Sequence, residues 1–151
     1  MSSYVHRTIV VRRARPENLE AIEGLLTAAG LPLAGVRESL DGFLVAVAAE
    51  GVVGAIGLER HGDFGLLRSA VVAENARKRG IGGLLTQRLL EGARAYKVKA
   101  VYLLTMDANE YFARFGFRRI TRTELPPDVM RSPELSACPQ SAVVMALAPL
   151  T

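Results

Sequence analysis

Arg77-Lys78-Arg79-Gly80-Ile81-Gly82-Gly83 is the most informative stretch of this sequence. It follows an apolar, strand-like segment at residues 64–72 and begins a segment whose apolar residues recur at helical spacing. Unpaired backbone N–H groups and the positive end of the helix dipole attract anions to the start of a helix. The glycines let the main chain approach a phosphate closely, and the three cationic side chains add charge. The stretch therefore predicts a binding loop for a diphosphate.

Spacing excludes two other phosphate-binding motifs. The P-loop ends in Gly-Lys-Ser/Thr, which is absent here, and the dinucleotide-binding pattern needs glycine at position 85, where this chain has Leu85. On residues 77–83 alone, a polar turn that only caps a helix stays open as the alternative.

Length and composition predict one globular domain over residues 1–151, with 50% hydrophobic and 23% charged residues. The net charge of +4 comes from mostly scattered cations, which allow a polyanionic partner but do not require one, and no nucleic-acid partner is predicted. Residues 1–8 lack the apolar core of a signal peptide, and the most apolar stretch, residues 42–58, contains Glu50 and is short for a membrane helix. Cys138 is the single cysteine, so no intrachain disulfide is possible. We expect a cytoplasmic protein without a membrane partner.

Periodicity and turn signals give the predicted order of elements. Strands are predicted at residues 8–13, 43–48, 52–60, 64–72, 100–105, 117–120 and 141–147. Helices are predicted at residues 16–29, 36–40, 81–96 and 109–114. No linker or internal repeat divides the chain. The order predicts an α/β (α+β) fold, a mixed sheet with helices on both faces.

Two landmarks give the chain a family resemblance. Arg77-x-x-Gly80-x-Gly82 after a strand, and the aromatic segment Tyr111-Phe112-Ala113-Arg114-Phe115-Gly116-Phe117, resemble the GNAT superfamily of N-acetyltransferases, and the element order matches. The resemblance implies a mainly antiparallel central sheet, acetyl-CoA as cosubstrate and no metal. A narrower resemblance rests on residues 57–60, residues 62–69 and the tail Cys138-Pro139-x-Ser141-Ala142-Val143. These segments resemble acetyltransferases encoded alongside arsenic-resistance genes, which implies a role in arsenic-related detoxification.

The resemblance also implies where the cofactor binds. The strand before the loop separates from its neighbour and offers backbone groups of Ala70, Val71 and Val72 to the pantetheine arm. An N–H near Val71 or Val72 stabilises the oxyanion that develops on the thioester. The remaining implied cofactor residues are Arg77, Lys78, Arg79, Gly80, Ile81, Gly82 and Gly83, whose loop holds the pyrophosphate, and Phe112, which packs beside the thioester.

The acid–base groups are harder to assign. Leu66 and Arg68 stand where family members often carry a carboxylate or a histidine, so Glu59, across a short turn, is the best candidate for the base. The alternative for Glu59 is a surface carboxylate paired with Arg60 or Arg68. His61 and Asp63 are expected to be turn residues.

Arg68 is the candidate acceptor-binding residue. Because side chains alternate along a strand, Arg68 shares a face with Leu66, and its planar donors match a carboxylate or a similar oxyanion. The alternative is an ion pair with Glu59 that braces the hairpin.

Two further side chains near the predicted site are given no acid or nucleophilic role. Phe112 occupies the position of the family's usual tyrosine acid, and Tyr111 is expected to point elsewhere. A thiolate leaving group needs little help from an acid, so the exchange predicts a modest loss of rate. Cys138 is expected to be a small buried hydrophobe, as most single cysteines are. A role as an arsenic ligand is less favoured, because a lone thiol chelates trivalent arsenic weakly.

The predicted function is direct transfer of an acetyl group from acetyl-CoA to the amine of a small, amino-acid-like acceptor. A non-catalytic acyl-CoA-binding or regulatory module is the alternative, because Leu66 and Phe112 replace residues with acid–base function. Acetylation of a protein N-terminus or lysine is less favoured, because no feature suggests an extended peptide groove. A homodimer is left open.

Overall fold

Seven strands form one sheet at the centre of the structure, a computed structural model that describes residues 8–151. They are β1 (Val10–Arg13), β2 (Phe43–Ala48), β3 (Gly51–His61), β4 (Phe64–Val72), β5 (Ala100–Thr105), β6 (Arg118–Ile120) and β7 (Val143–Leu147). Their order across the sheet is β1-β2-β3-β4-β5-β7-β6. Neighbours pair antiparallel except β4 and β5, which are parallel, so the mixed, mainly antiparallel sheet is confirmed. The predicted absence of a signal peptide concerns a segment almost wholly outside the described residues.

Within residues 8–151, five α-helices pack on the sheet or lie in its connections. They are α1 (Leu19–Ala28), α2 (Ile81–Ala95), α3 (Asn109–Ala113), α4 (Pro127–Met130) and α5 (Pro133–Ala137). None of these helices, in the part of the chain that is described, is long and apolar enough to cross a membrane.

Alternation along β2 shows that α1 and α2 cover opposite faces. Phe43 and Val45 pack in the same apolar cluster as the buried residues of α1, whereas Leu44 and Ala46 pack with those of α2. Successive side chains of a strand point to opposite sides, so one strand supplies both cores. Helices on both faces were predicted from the sequence and are confirmed.

Two connections differ from the sequence prediction. The helix predicted at residues 36–40 is absent: the chain makes one turn, closed by the Ser39 amide on the Gly35 carbonyl (3.1 Å), and then a 3-10 turn at Leu40–Gly42. Conversely, the connection between β6 and β7 contains helical turns that were not predicted, at Arg122–Glu124 and in α4 and α5. Both α4 and α5 begin with proline, whose fixed φ suits the first helical position.

The parallel pair at the centre of the sheet is short. Strands β4 and β5 pair only through Phe64↔Ala100, Gly65↔Val101 and Leu66↔Tyr102. On its other side β4 stays paired to β3 as far as Val72. Among the described residues, the part of β4 after Leu66 therefore has one edge without a neighbouring strand, and the sheet is split between β4 and β5.

Candidate active site

The split in the sheet opens into a cleft of about 940 Å³. Its walls come from the second half of β4, the end of β5, the start of α2, α3, and residues from segments 29–32 and 134–142. Cavities of roughly 300–1,000 Å³ accommodate small ligands and cofactors. The cleft passes between the strands and is lined from both faces of the sheet, so two molecules can meet inside it.

The start of α2 carries the anion-binding geometry predicted for the loop. Gly80 caps the helix in the left-handed region (φ 76°), and no side chain caps its free N–H groups. The first amide to bond is that of Leu84, to the Gly80 carbonyl (3.1 Å), so the N–H groups of residues 81–83 have no partner in the helix. Lys78 also has a positive φ of 69°, which is rare for a residue with a side chain and recurs at ligand-binding loops.

Most residues predicted to bind the cofactor line this cleft. They are Ala70, Val71, Val72, Arg77, Lys78, Gly80, Ile81, Gly82, Gly83 and Phe112. Arg77 donates from Nε to the Val72 carbonyl (3.4 Å), which ties the loop to the end of β4. The Arg79 side chain is not on the cleft wall, and its Nη2 lies 3.5 Å from Oε2 of Glu50.

Arg68 is buried on β4, with a side chain that is 0% exposed. Its Nη1 donates to Oε2 of Glu59 (2.7 Å) and to the Ala34 carbonyl (2.6 Å). Its Nε donates to Ser69 Oγ (2.9 Å), and its Nη2 to the Pro32 carbonyl (3.3 Å). One of the five N–H groups of the guanidinium is left over for another acceptor. Arg68 forms part of the cleft wall.

Glu59 lies opposite Leu66 across the hairpin, as predicted, and is only 5% exposed. Its Oε1 accepts from His61 Nε2 (2.8 Å) and its Oε2 from Arg68. Burial raises the pKa of Glu59, but hydrogen bonds from Ser132, Arg68 and His61 outweigh it and hold that pKa below its ordinary value. Glu59 lines a second cavity beside the hairpin turn, with His61, instead of the main cleft.

Comparison with known proteins decides the family. The acetyltransferase (GNAT) domain family matches residues 39–119, just over half of the chain. An amino-acid acetyltransferase of Mycobacterium tuberculosis is 35% identical over 130 residues, which cover 80% of this chain and 74% of that protein. The chain belongs to the GNAT acetyltransferase family. It is therefore an acetyl-CoA-dependent N-acetyltransferase, and the alternative of a non-catalytic module is not supported.

Solved structures agree with this assignment. Rv2747 from Mycobacterium tuberculosis, determined in complex with CoA, has a TM-score of 0.78 and 28% identity, over 93% of this chain and 99% of that one. The N-acetylglutamate synthase of Neisseria gonorrhoeae, complexed with coenzyme A and N-acetyl-glutamate, has a TM-score of 0.82 at 19% identity. The match covers 95% of the GNAT chain described here but only 35% of the Neisseria chain, and at that identity it shows the fold alone.

The aromatic pair on α3 differs from the prediction in one respect. Tyr111 was expected to point elsewhere, yet it lines the cleft together with Phe112. Its hydroxyl is buried without a hydrogen-bond partner in the described chain, and a Cβ added to Gly82 would lie 3.2 Å from it. A phenol is a donor that needs a partner when buried, so Tyr111 offers a hydrogen bond toward the start of α2.

Sequence reasoning missed Glu134, which lies on the cleft wall at the start of α5 and is 4% exposed. Burial raises the pKa of Glu134 to about 7, an effect that Arg68 opposes and Glu59 reinforces. The local signal was present: Ser132-Pro133-Glu134 is a helix start in which Ser132 Oγ accepts from the Glu134 amide (3.1 Å).

Cys138 also lines the cleft, half-buried. Burial raises the pKa of its thiol to about 11, and the carboxylate of Glu134 acts in the same direction. The thiol therefore stays protonated at neutral pH, which does not suit a nucleophile. Among residues 8–151, no group of three or more His, Cys, Asp or Glu side chains is placed to hold a metal ion.

Proposed function

We propose that this enzyme transfers the acetyl group of acetyl-CoA directly to the primary amine of a small, amino-acid-like acceptor. The observation that carries the proposal is the uncapped start of α2, whose free N–H groups face a cleft that splits the sheet. A diphosphate suits that loop, and the cleft behind it suits a flexible arm. The similarity to an amino-acid acetyltransferase supports the acceptor class.

In this proposal the cofactor lies along β4. The amides of residues 78–83 bind the pyrophosphate, with Arg77 and Lys78 supplying charge and Arg79 contributing through its amide. The pantetheine arm follows the free edge of β4 at residues 70–72, and an N–H of Val71 or Val72 polarises the thioester carbonyl. Phe112 packs beside the thioester, and the Tyr111 hydroxyl donates to the cofactor.

Acceptor binding and base catalysis involve the buried charges. The remaining N–H of Arg68 is a donor for an anionic group of the acceptor, while the other contacts of Arg68 support a bracing role in the hairpin. Glu59 stays the sequence-based prediction for the base. Its hydrogen bonds from Ser132, Arg68 and His61 and its lowered pKa make it a weak proton acceptor, because a base works best with a pKa near the working pH.

Two finer predictions rest on the sequence. The arsenic-related role follows from the resemblance of residues 57–60, 62–69 and 138–143, and acceptors bearing an arsenic oxyanion would test it beside ordinary amino acids. A homodimer is the oligomeric state to test, by measuring the mass in solution with analytical ultracentrifugation (sedimentation).

Acetyl-CoA binding and turnover test the proposal directly. At a hundredfold excess over Kd, a ligand stabilises the folded state by about 2.7 kcal/mol, which is roughly 8 °C in Tm for this chain length. Loss of the thioester absorbance with a panel of amines measures transfer. No Tm shift and no transfer would refute the proposal.

A glycine variant with a matched control tests the loop. Gly82→Val puts a side chain on the wall where the pyrophosphate is proposed to bind, so the rise in Tm with acetyl-CoA should be lost. Gly92→Val lies near the other end of α2, with open space around its Cβ, and should keep the shift. Gly80→Val should also lose it, but the positive φ at position 80 adds backbone strain.

A further inference from the structure

Three charged side chains are buried together beside the cleft, and their charges do not balance. Glu59, Arg68 and Glu134 are 5%, 2% and 4% exposed. Arg68 is the cation between two carboxylates, and it is committed to Glu59 at 2.7 Å, whereas Oε1 of Glu134 lies 3.5 Å from its Nε. Oε2 of Glu134 has no hydrogen-bond partner within the described residues. A buried carboxylate oxygen without a donor is costly and calls for a functional explanation.

Local structure holds Glu134 in this position. Ser132 caps α5 by accepting from the Glu134 amide, and Pro133 fixes the first helical residue. Pro133 packs against the segment that also binds Arg68: a Cβ added to Gly35 would lie 3.1 Å from Pro133 Cγ and 3.0 Å from Arg68 Nη1. Glu134 is therefore fixed between the cleft and the buried cation by contacts distant in sequence.

Glu134 faces the cleft from the side opposite the phosphate loop. The segment that carries α5 packs on the same face of the sheet as α1, through Gly35, whereas α2 covers the other face. A cofactor bound at the start of α2 enters the split from one face. An amine that reaches Glu134 enters from the other, so the two reactants meet between β4 and β5.

The charges around Glu134 leave it able to exchange a proton near neutral pH. Arg68 on β4 favours its charged form, whereas Glu59 on β3 disfavours it. His61 contacts Glu59 instead of Glu134, and on the α5 side Cys138 is a neutral thiol at this pH. Arg122 donates to the Leu135 carbonyl. Burial dominates, and it raises the pKa of Glu134 to about 7.

We infer that Glu134 binds the ammonium group of the acceptor through Oε2 and acts as the general base of the acetyl transfer. This inference rests on the proposed function. Glu134 takes one proton from the ammonium, and the freed lone pair forms the C–N bond at the thioester carbonyl carbon. The C–S bond then breaks with its electron pair going to sulfur. The second N–H proton goes to that sulfur to give the CoA thiol, and Glu134 later releases its proton to water.

The pH dependence of turnover separates Glu134 from Glu59. We would measure kcat/KM from pH 5.5 to 9.5 with acetyl-CoA and L-glutamate, or whichever panel amino acid turns over fastest. In the wild type, kcat/KM should rise up to about pH 7 and then level off, because Glu134 must be deprotonated. The kcat/KM of Glu134→Gln should be about a hundredfold below that of the wild type at pH 7. It should then rise roughly tenfold per pH unit, because the variant depends on the concentration of free amine alone.

Control variants make the outcome specific. Glu134→Asp should keep the wild-type shape of the profile at a lower rate, and Glu91→Gln, an exposed carboxylate on α2, should match the wild type. Glu134→Gln should keep the Tm shift with acetyl-CoA, since the cofactor loop is untouched. The inference would be overturned if Glu134→Gln kept the wild-type pH dependence of kcat/KM. It would also be overturned if Glu59→Gln, and not Glu134→Gln, lost the rise up to pH 7. No transfer by the wild type to any amine would instead overturn the proposed function.

Discussion

Arg68→Met tests whether the buried guanidinium holds the active-site face together. The substitution keeps an unbranched side chain of similar length in a position that is 0% exposed but removes the cation. It leaves Glu59 with His61 and Ser132 as partners, and it removes the cation that favours the charged form of Glu134. The carbonyls of Pro32 and Ala34 also lose their donor. The two carboxylates left behind, of Glu59 and Glu134, are buried acceptors.

The expected loss of stability is large. Removing one partner of a buried ion pair costs about 3–5 kcal/mol, because the remaining charge is desolvated without compensation. Unfolding entropy of about 2.1 cal/mol/K per residue gives roughly 0.3 kcal/mol/K for 151 residues, so Tm should fall by about 10–15 °C. Arg131→Met is the matched control. Arg131 is 79% exposed and pairs with Asp128 at 3.6 Å, so its loss should change stability by less than about 0.5 kcal/mol.

Calorimetry at two pH values and a double variant complete the test. The lowered pKa of Glu59 contributes stability above its unfolded value of 4.5, which is lost as pH falls through the folded pKa. The difference in unfolding free energy between the wild type and Arg68→Met should therefore become smaller below about pH 4.5. Glu59→Gln/Arg68→Met should recover part of the loss, since a neutral amide needs no cation.

Unchanged Tm in Arg68→Met would refute the bracing role. If Arg68 instead binds an anionic acceptor group, KM for amino-acid acceptors should rise about ten- to a hundredfold on Arg68→Ala, while uncharged amines suffer less and acetyl-CoA affinity stays the same. Equal losses for charged and uncharged acceptors would exclude that role.

Three further variants are informative. Phe112→Tyr should change kcat by no more than about tenfold, because a stable thiolate leaves little for an acid to contribute, and a thousandfold rise in a stopped-flow assay would contradict this. Tyr111→Phe removes an unpartnered buried hydroxyl, so it should leave Tm without ligand unchanged or higher and weaken acetyl-CoA binding by about five- to tenfold in calorimetric titrations. Glu134→Gln should be more stable than the wild type at pH 8, by at most about 3 kcal/mol for a pKa raised from 4.5 to about 7, and equally stable below pH 4.5. Urea unfolding at pH 4, 6 and 8 measures this difference, and a difference that stayed constant across the three pH values would be inconsistent with that pKa.

The sequence predicted the parts of the fold that depend on local signals. Strand β4 was predicted with the bounds it has, and α2 begins directly after the glycine loop, because alternation, helical spacing and glycine at a positive φ are properties of short segments. The helix expected at residues 36–40 failed because Gly35, with a φ of 83°, is held against Arg68 and Pro133 by tertiary contacts.

The proposed acceptor side of the site was less predictable because distant segments form it. Arg68 bonds to Pro32 and Ala34, and Glu134 reaches it from the far end of the chain. Tyr111 was misplaced because α3 has five residues, too few for their pattern to fix which side faces the core. None of these pairings leaves a periodic trace in the sequence.

The two halves of the cleft are encoded differently, which matters for engineering this enzyme. The proposed cofactor side is drawn mainly from one continuous stretch, residues 70–83, whereas the other side includes the short α5 segment between its serine cap and Cys138. A small library confined to residues 135–139 would alter the wall near the proposed amine position and leave the loop at the start of α2 intact. Selection for a new acceptor could then proceed without loss of the acetyl donor.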